Sequence, residues 1–270
     1  MTATAIYPSL KGRTVFVTGG GSGIGASIVE HFAAQGCKVG FVDIAEAPSK
    51  ALVKSIAAQG HLQPLFVSAD ITDITALRNA IAQVRAALGP ITVLVNNAAH
   101  DQRHSIDEVT PEYWDDRIAI NLKHQFFAAQ AIYPDMEKAG GGSIVNLGSV
   151  SWVIGQGGMP CYTTAKSAIQ GLTRSLARDL GPKNIRVNSI LPGWIMTQRQ
   201  IDLWLTPESE ALLRAAEFDK SLGETNNPDW KTVAVDEATG DVIVPNGSIG
   251  FRWGEDGKWN LEEKDGAGRE

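Results

Sequence analysis

Thr18-Gly-Gly-Gly-Ser-Gly-Ile-Gly25 lies between two stretches of opposite pattern. Before it, Arg13-Thr-Val-Phe-Val-Thr18 is a short apolar run that predicts a buried strand. After it, Ile24, Ile28 and Phe32 recur every fourth residue and Gly36 follows, which predicts a helix over 24–35. Glycines at such a junction let the backbone turn sharply and bring the free N–H groups of a helix N-terminus close to a phosphate. Gly21-x-Gly23-x-x-Ala26 also satisfies the general dinucleotide fingerprint. A glycine cluster alone is equally a plain turn. Its place after a strand and before a helix makes Gly19, Gly21, Ser22, Gly23, Ile24 and Gly25 candidate pyrophosphate contacts.

Working outward, the alternation continues. Strands are predicted at 38–43, 62–68, 91–96, 142–147 and 185–191, with helices at 48–59, 73–88, 111–136 and 159–180 between and after them. Units of this length imply an α/β fold: a Rossmann-type, doubly wound parallel sheet with helices on both faces. Asp43 ends the second strand, about 20 residues past the glycines, where a carboxylate accepts the ribose hydroxyls of an adenosine and repels a 2′-phosphate. No Arg or Lys follows at 44–46, so NAD is expected rather than NADP. Asp70, ending the third strand, is a candidate adenine neighbour together with Ile71; capping of the next helix is the alternative for Asp70.

Tyr162 and Lys166 are four residues apart and share a helix face. A tyrosine is a poor base at neutral pH, and a fixed ammonium beside it favours the phenolate. Tyr-x-x-x-Lys is common by chance. Here Ser149 precedes it just past a predicted strand, Asn96-Asn-Ala-Ala99 follows the fourth strand, and Asn121 lies within the following helix. The carboxyl ends of such strands are where open α/β sheets hold ligands.

Composition bounds the rest. With 270 residues, 43% of them hydrophobic, the chain is long enough for one large core. No apolar run approaches the ~20 residues of a membrane span. Residues 1–13 lack the layout of an export signal. Cys37 and Cys161 are too few for a disulfide framework and are expected as small buried residues, in keeping with a cytoplasmic location. His100, His104 and His124 have no metal-ligand spacing and are expected in loops or on the surface; no metal is expected. A net charge of −6 argues against nucleic acid. That charge is unevenly placed: acidic and basic side chains balance over 1–217, and the whole excess lies in 218–270. A helix is predicted over 206–217. Beyond it the strand–helix alternation stops, and only 231–235 and 241–244 have strand character, as a possible hairpin. The chain therefore divides into a dinucleotide-binding domain, 1–217, and an atypical acidic tail, 218–270, poorly packed or a small hairpin.

Taken together, the Thr18–Gly25 turn, Asp70, the Asn96–Ala99 run, Asn121, Ser149 with Tyr162 and Lys166, and Pro192-Gly193 with Thr197 resemble the short-chain dehydrogenase/reductase superfamily from residue 13 to about 217. Ala99 departs from the glycine usual there. The resemblance implies proton exchange by Tyr162 and a Lys166 that holds the nicotinamide ribose and depresses the Tyr162 pKa. It implies a Ser149 bonded to the reacting oxygen and an Asn121 supporting a proton-relay water. Asn97 would line the cofactor site, with Pro192, Gly193, Ile195 and Thr197 bordering the nicotinamide. Ala5–Gly12, Asp101-Gln-Arg-His104, Ser149-Val-Ser-Trp152, Arg199-Gln200, Trp204 and Thr206-Pro-Glu208 resemble the bacterial D-xylose/L-arabinose 1-dehydrogenase type. This implies a small-molecule sugar oxidised at its anomeric hydroxyl, with Asp101, Ser149, Trp152 and Trp194 available to the substrate; ordinary packing or loop solvation is the alternative for Asp101, Trp152 and Trp194. A homo-oligomer is the family's habit. The tail, notably 227–234, 245–254 and 258–264, resembles part of a respiratory nitrate reductase α subunit instead, where the family supplies a further helix and a seventh strand. A sheet lacking its last strand is therefore expected. An NAD-binding but catalytically impaired chimera is the alternative functional reading.

Overall fold

The computed structural model describes residues 5–207 and, beyond them, the short strands Ala234–Val235, Val242–Ile243, Gly250–Trp253 and Trp259–Glu262. In chain order the first unit contains β1 (Thr14–Thr18), α1 (Gly23–Ala34), β2 (Lys38–Asp43), α2 (Glu46–Ala58), β3 (Leu65–Ser68), α3 (Ile74–Leu88) and β4 (Ile91–Asn96). It continues with α4 (Pro111–Ile118), α5 (His124–Lys138), β5 (Gly142–Leu147), α6 (Pro160–Leu180), β6 (Ile185–Ile190) and α7 (Gln198–Leu203). The six strands form one parallel sheet in the order β3-β2-β1-β4-β5-β6. The chain winds outward from β1 in one direction and from β4 in the other. A crevice therefore opens between the carboxyl ends of β1 and β4, where Thr18 pairs with Asn96.

Strand periodicity divides the core. Val15 and Val17 face one way with Val39, Val93 and Val95, and meet Val29 and Ala33 of α1 and Ile56 of α2. Phe16 and Leu94 face the other way, onto Leu77, Ile81 and Val84 of α3 and Ala128, Ile132 and Met136 of α5. Every residue of β1 is buried, as a strand covered on both faces must be. Cys37 and Cys161 are free and buried. No helix among the described residues is long and apolar enough to cross a membrane.

Three elements differ from the sequence reading. The helix expected over 111–136 is interrupted by a π-helical turn, Ala119–Lys123, so α4 and α5 are separate segments around Asn121. A short helix, α7, has no counterpart in the periodicity. His124 is fully buried in α5, bonded to Ala98 O, which corrects its placement in a loop or on the surface; His104 lies in a loop as expected but is only 7% exposed. As expected from the sequence, the described sheet ends at β6 without a seventh strand. There β6 is an edge, with Arg186, Asn188 and Ile190 exposed and Ile185 and Val187 buried.

Residues 204–270 cluster as a second unit. Within it Ala234–Val235 pairs antiparallel with Val242–Ile243, in the stretch expected as a hairpin, and Gly250–Trp253 pairs with Trp259–Glu262. Most of the helix expected over 206–217 lies outside the described residues.

Asp135 of α5 ties the helix layer to the sheet. It accepts from Arg85 Nε at 2.7 Å and from the Ile91 backbone N–H at 3.2 Å. Asp135→Ala should cost about 1–3 kcal/mol of unfolding free energy. Arg85→Ala should cost less, because Arg85 is partly exposed and its loss leaves the Ile91 bond intact. Urea unfolding of the two variants checks this, and equal losses would contradict it.

Candidate active site

At the switch point, close backbone contacts impose the glycines. Gly19 has φ +66°, and a Cβ there would meet Ala98 Cα at 2.8 Å. A Cβ on Gly25 would overlap the Gly19 carbonyl oxygen and stand 2.6 Å from Asn97 Nδ2, so the first turn of α1 rests directly on the chain leaving β1. Asn97 fastens the two strand ends: its Nδ2 donates to Thr18 O (3.0 Å) and Gly19 O (2.9 Å), while its backbone N–H donates to Thr18 Oγ1 (3.0 Å). Ser22 occupies the N-cap position of α1 without bonding the helix through its side chain. Ile24 is half-buried in the first turn.

Asp43 Oδ2 accepts from Gly21 N–H (2.8 Å) and Oδ1 from Ala45 N–H (2.9 Å). The carboxylate is thereby fixed beside the glycine turn. A Cβ on Gly21 would collide with Ser49 Oγ and with the Asp43 carboxylate. Asp70 lies exposed; its Oδ1 accepts from Thr72 N–H and Thr72 Oγ1–H, both at 2.8 Å. Asp73, not Asp70, caps α3. The Ile71 side chain is buried in the core. After β6, Pro192 O accepts from Val150 N–H (3.2 Å), Ile195 O accepts from Thr197 N–H (2.7 Å), and Thr197 Cγ2 would be 3.2 Å from a Cβ on Gly23. The segment 192–197, Gly193 included, thus runs from the Ser149 turn to the mouth of the glycine turn.

The second cluster surrounds Tyr162. Ser149 opens a 3-10 turn, Val150–Trp152, accepts from Ser151 N–H at 3.1 Å, and its hydroxyl favours the ionised form of Tyr162. Lys166 is 1% exposed; its Nζ donates to Leu147 O at 2.8 Å and stands 5.5 Å from the Tyr162 ring centre. Burial pulls Lys166 down to about 7, with Asp101 opposing. Burial pushes Tyr162 up to about 12, eased by the Ser149 hydroxyl and the Arg103 charge and reinforced by Asp101. Burial thus moves both groups toward their neutral forms, the phenol up and the ammonium down.

Asn121, fully buried in the π turn, accepts from His100 N–H (2.9 Å) and donates to Arg117 O (3.0 Å) and His100 O (3.2 Å). His124, one turn on, bonds Ala98 O through Nε2 (3.1 Å) and is held down to about 3 by burial and by Lys166. Among the substrate candidates, Asp101 reaches the Tyr162 cluster electrostatically. Trp194 is half-buried in the 192–197 segment. Trp152 instead lines a groove of about 510 Å³ on the outer side of α6, with Ser151, Gln156, Thr163 and Ser167. His100, Arg117, Arg199 and Gln200 join the Asp101 neighbourhood. Arg199 and Gln200 carry a sequence signal only as the stretch 199–200, His100 is legible only as a loop histidine, and Arg117 carries no signal.

A six-stranded doubly wound sheet, a glycine turn at its switch point and a half-buried tyrosine over a buried lysine define a dinucleotide-binding oxidoreductase. The chain belongs to the short chain dehydrogenase family, whose pattern matches residues 13–207. It is 52% identical to the probable galactose dehydrogenase of Rhizobium meliloti (strain 1021) over 80% of this chain and 84% of that one. It is 46% identical to the D-xylose 1-dehydrogenase of Caulobacter vibrioides (strain NA1000 / CB15N), with the same coverage of each. A solved 7α-hydroxysteroid dehydrogenase, complexed with NADH and 7-oxo glycochenodeoxycholic acid, superimposes with TM-score 0.71 at 33% identity over 75% of this chain and 78% of that one. The protein is accordingly an oxidoreductase of CH–OH groups on a small molecule, working with a nicotinamide dinucleotide.

Lys166 gives a pH signature. Between about pH 7 and its ordinary value of 10.5 the unfolded chain holds a proton that the folded chain releases. Stability from this group therefore rises with pH across that window. Lys166→Met should remove that rise and stabilise the protein at pH 6. Parallel urea-unfolding profiles for both proteins from pH 6 to 9 would contradict the burial argument.

Proposed function

We propose that this chain is an NAD-dependent aldose 1-dehydrogenase: it oxidises the anomeric CH–OH of a sugar to the lactone. The observation that carries the reading is the pairing of Tyr162 with Ser149 beside the buried Lys166, in a chain 52% and 46% identical to two sugar dehydrogenases.

The glycine turn fits a dinucleotide, since packing against Ala98, Ser49 and the Gly19 carbonyl leaves Gly19, Gly21 and Gly25 as bare backbone at the start of α1, with the Asp43 carboxylate fixed beside it. Gly19, Gly21, Ser22, Gly23, Ile24 and Gly25 would hold the phosphates, and Asp43 the adenosine ribose. Asp70, Ile71 and Asn97 would lie along the adenine side and the cleft floor. Tyr162 and Lys166 would meet the nicotinamide ribose, with Pro192, Gly193, Ile195 and Thr197 at the nicotinamide. When bound, NAD supplies the hydride acceptor.

This chain's residues handle orientation and the proton. Ser149 and Tyr162 bond the reacting oxygen, and Tyr162 Oη, in its deprotonated form, takes its proton as C1 loses hydride. Lys166 Nζ, held by Leu147 O, stands 5.5 Å from the tyrosine ring centre, and Asn121 in its π turn would support a proton-relay water. Asp101, Trp152 and Trp194 remain the candidate sugar contacts, Trp152 with the least support because its groove lies outside α6. A phenol near pKa 12 is protonated at neutral pH, so sugar oxidation accelerates as pH rises.

Purified protein should form NADH with NAD and an aldose panel headed by D-galactose, D-xylose and L-arabinose. Tyr162→Phe should lower kcat by about 10²–10⁴-fold while NAD affinity stays within a few-fold. Turnover retained in that variant, or NAD bound without turnover on any aldose, overturns the proposal. Asp43→Ser should narrow the preference for NAD over NADP; equal use of both cofactors by the unmodified protein would overturn the NAD assignment.

A further inference from the structure

Two residues of α7 converge on one carboxylate across the mouth of the crevice. Asp101, 16% exposed in its side chain, lies on the loop after β4. Its Oδ2 accepts from Gln200 Nε2 at 2.7 Å, and its Oδ1 faces Arg199 Nη2 at 3.4 Å. The same carboxylate raises both Tyr162 and Lys166 by its charge. The loop after β4 and the helix after β6 are thus joined through Asp101.

His100 explains why Asp101 is needed. Its Nδ1 is 2.8 Å from Arg117 Nη1, and its Nε2 is 3.2 Å from Arg199 Nη2. A guanidinium only donates, and a neutral imidazole offers one acceptor nitrogen. One of the two contacts therefore sets N–H against N–H. Burial and the two guanidiniums keep His100 from gaining a proton, which would make both contacts unfavourable. Arg117 has Asp116 as its own carboxylate, in a short ion pair. Among the described residues the ion pair recorded for Arg199 is with Asp101. Whichever of the two contacts is mismatched, the Asp101 carboxylate offsets the charge of Arg199 beside His100.

We propose that Asp101 is a positioning residue: by binding Arg199 and Gln200 together it fixes α7 over the crevice and so sets the affinity for substrate. This assigns it a role distinct from direct sugar contact. The kinetic part rests on the proposed aldose oxidation; the positioning itself does not.

Two readouts separate these. Backbone hydrogen exchange across 198–203, measured without sugar, should accelerate at least about tenfold in Asp101→Asn and in the double variant Arg199→Ala/Gln200→Ala, with the rest of the sheet unchanged. With aldose, Asp101→Asn should raise KM more than it lowers kcat. Adding the α7 substitutions to Asp101→Asn should change KM little further, since all three remove one connection. Arg199→Lys should recover part of the protection. Unchanged exchange over 198–203, or KM effects of Asp101 and α7 that multiply independently, would overturn the proposal. Accelerated exchange with no turnover on any aldose would leave the positioning intact and refute the substrate reading instead.

Discussion

The site depends on one buried ammonium. Lys166 is almost without solvent, and its Nζ has a backbone carbonyl, Leu147 O, within bonding distance. Holding a charge there is costly, so the group sits near the edge of losing its proton. That bond joins the end of β5 to α6, and with it Ser149, which follows β5, to Tyr162, which precedes Lys166 by one helical turn. Fold and chemistry meet at this contact: the strand end delivers the serine, the helix delivers the tyrosine, and the lysine ties them.

A second constraint lies one strand over. The first turn of α1 presses so closely on Gly19 that no side chain fits at Gly25. Asn97 bonds both Thr18 and Gly19 across the gap between β1 and β4. The switch point of the sheet is thus closed by backbone contact and one amide. The dinucleotide cleft and the Tyr162 cluster share the rim formed by 192–197, because Pro192 holds the Ser149 turn while Thr197 lies against Gly23.

Much of this was legible in the sequence because periodicity and glycine placement are local signals. The strands, α1, α3 and α6 follow from them, as do the glycine turn and the positions of Asp43, Ser149, Tyr162 and Lys166. Other features depend on long-range packing. The π turn at 119–123 leaves no mark in residue spacing, since it adds one residue to a turn of an otherwise regular pattern. The burial of His124 follows from the carbonyl of Ala98, 26 residues away. Capping of α3 by Asp73 removes the capping alternative that the sequence left open for Asp70. The pKa of Tyr162 could not be read from Lys166 four residues on. Its sign is set by how little water reaches the pair, not by their spacing. Helix α7 and its attachment to Asp101 join residues about a hundred positions apart.

The central claim is that hydride leaves the anomeric carbon of a sugar. An aldose carrying deuterium only at C1, incubated with NAD and the enzyme, tests it most directly. The account predicts deuterium in the reduced nicotinamide ring and a lactone product without label at C1, both read by NMR. Unlabelled NADH, with deuterium kept in the oxidised sugar, would contradict it.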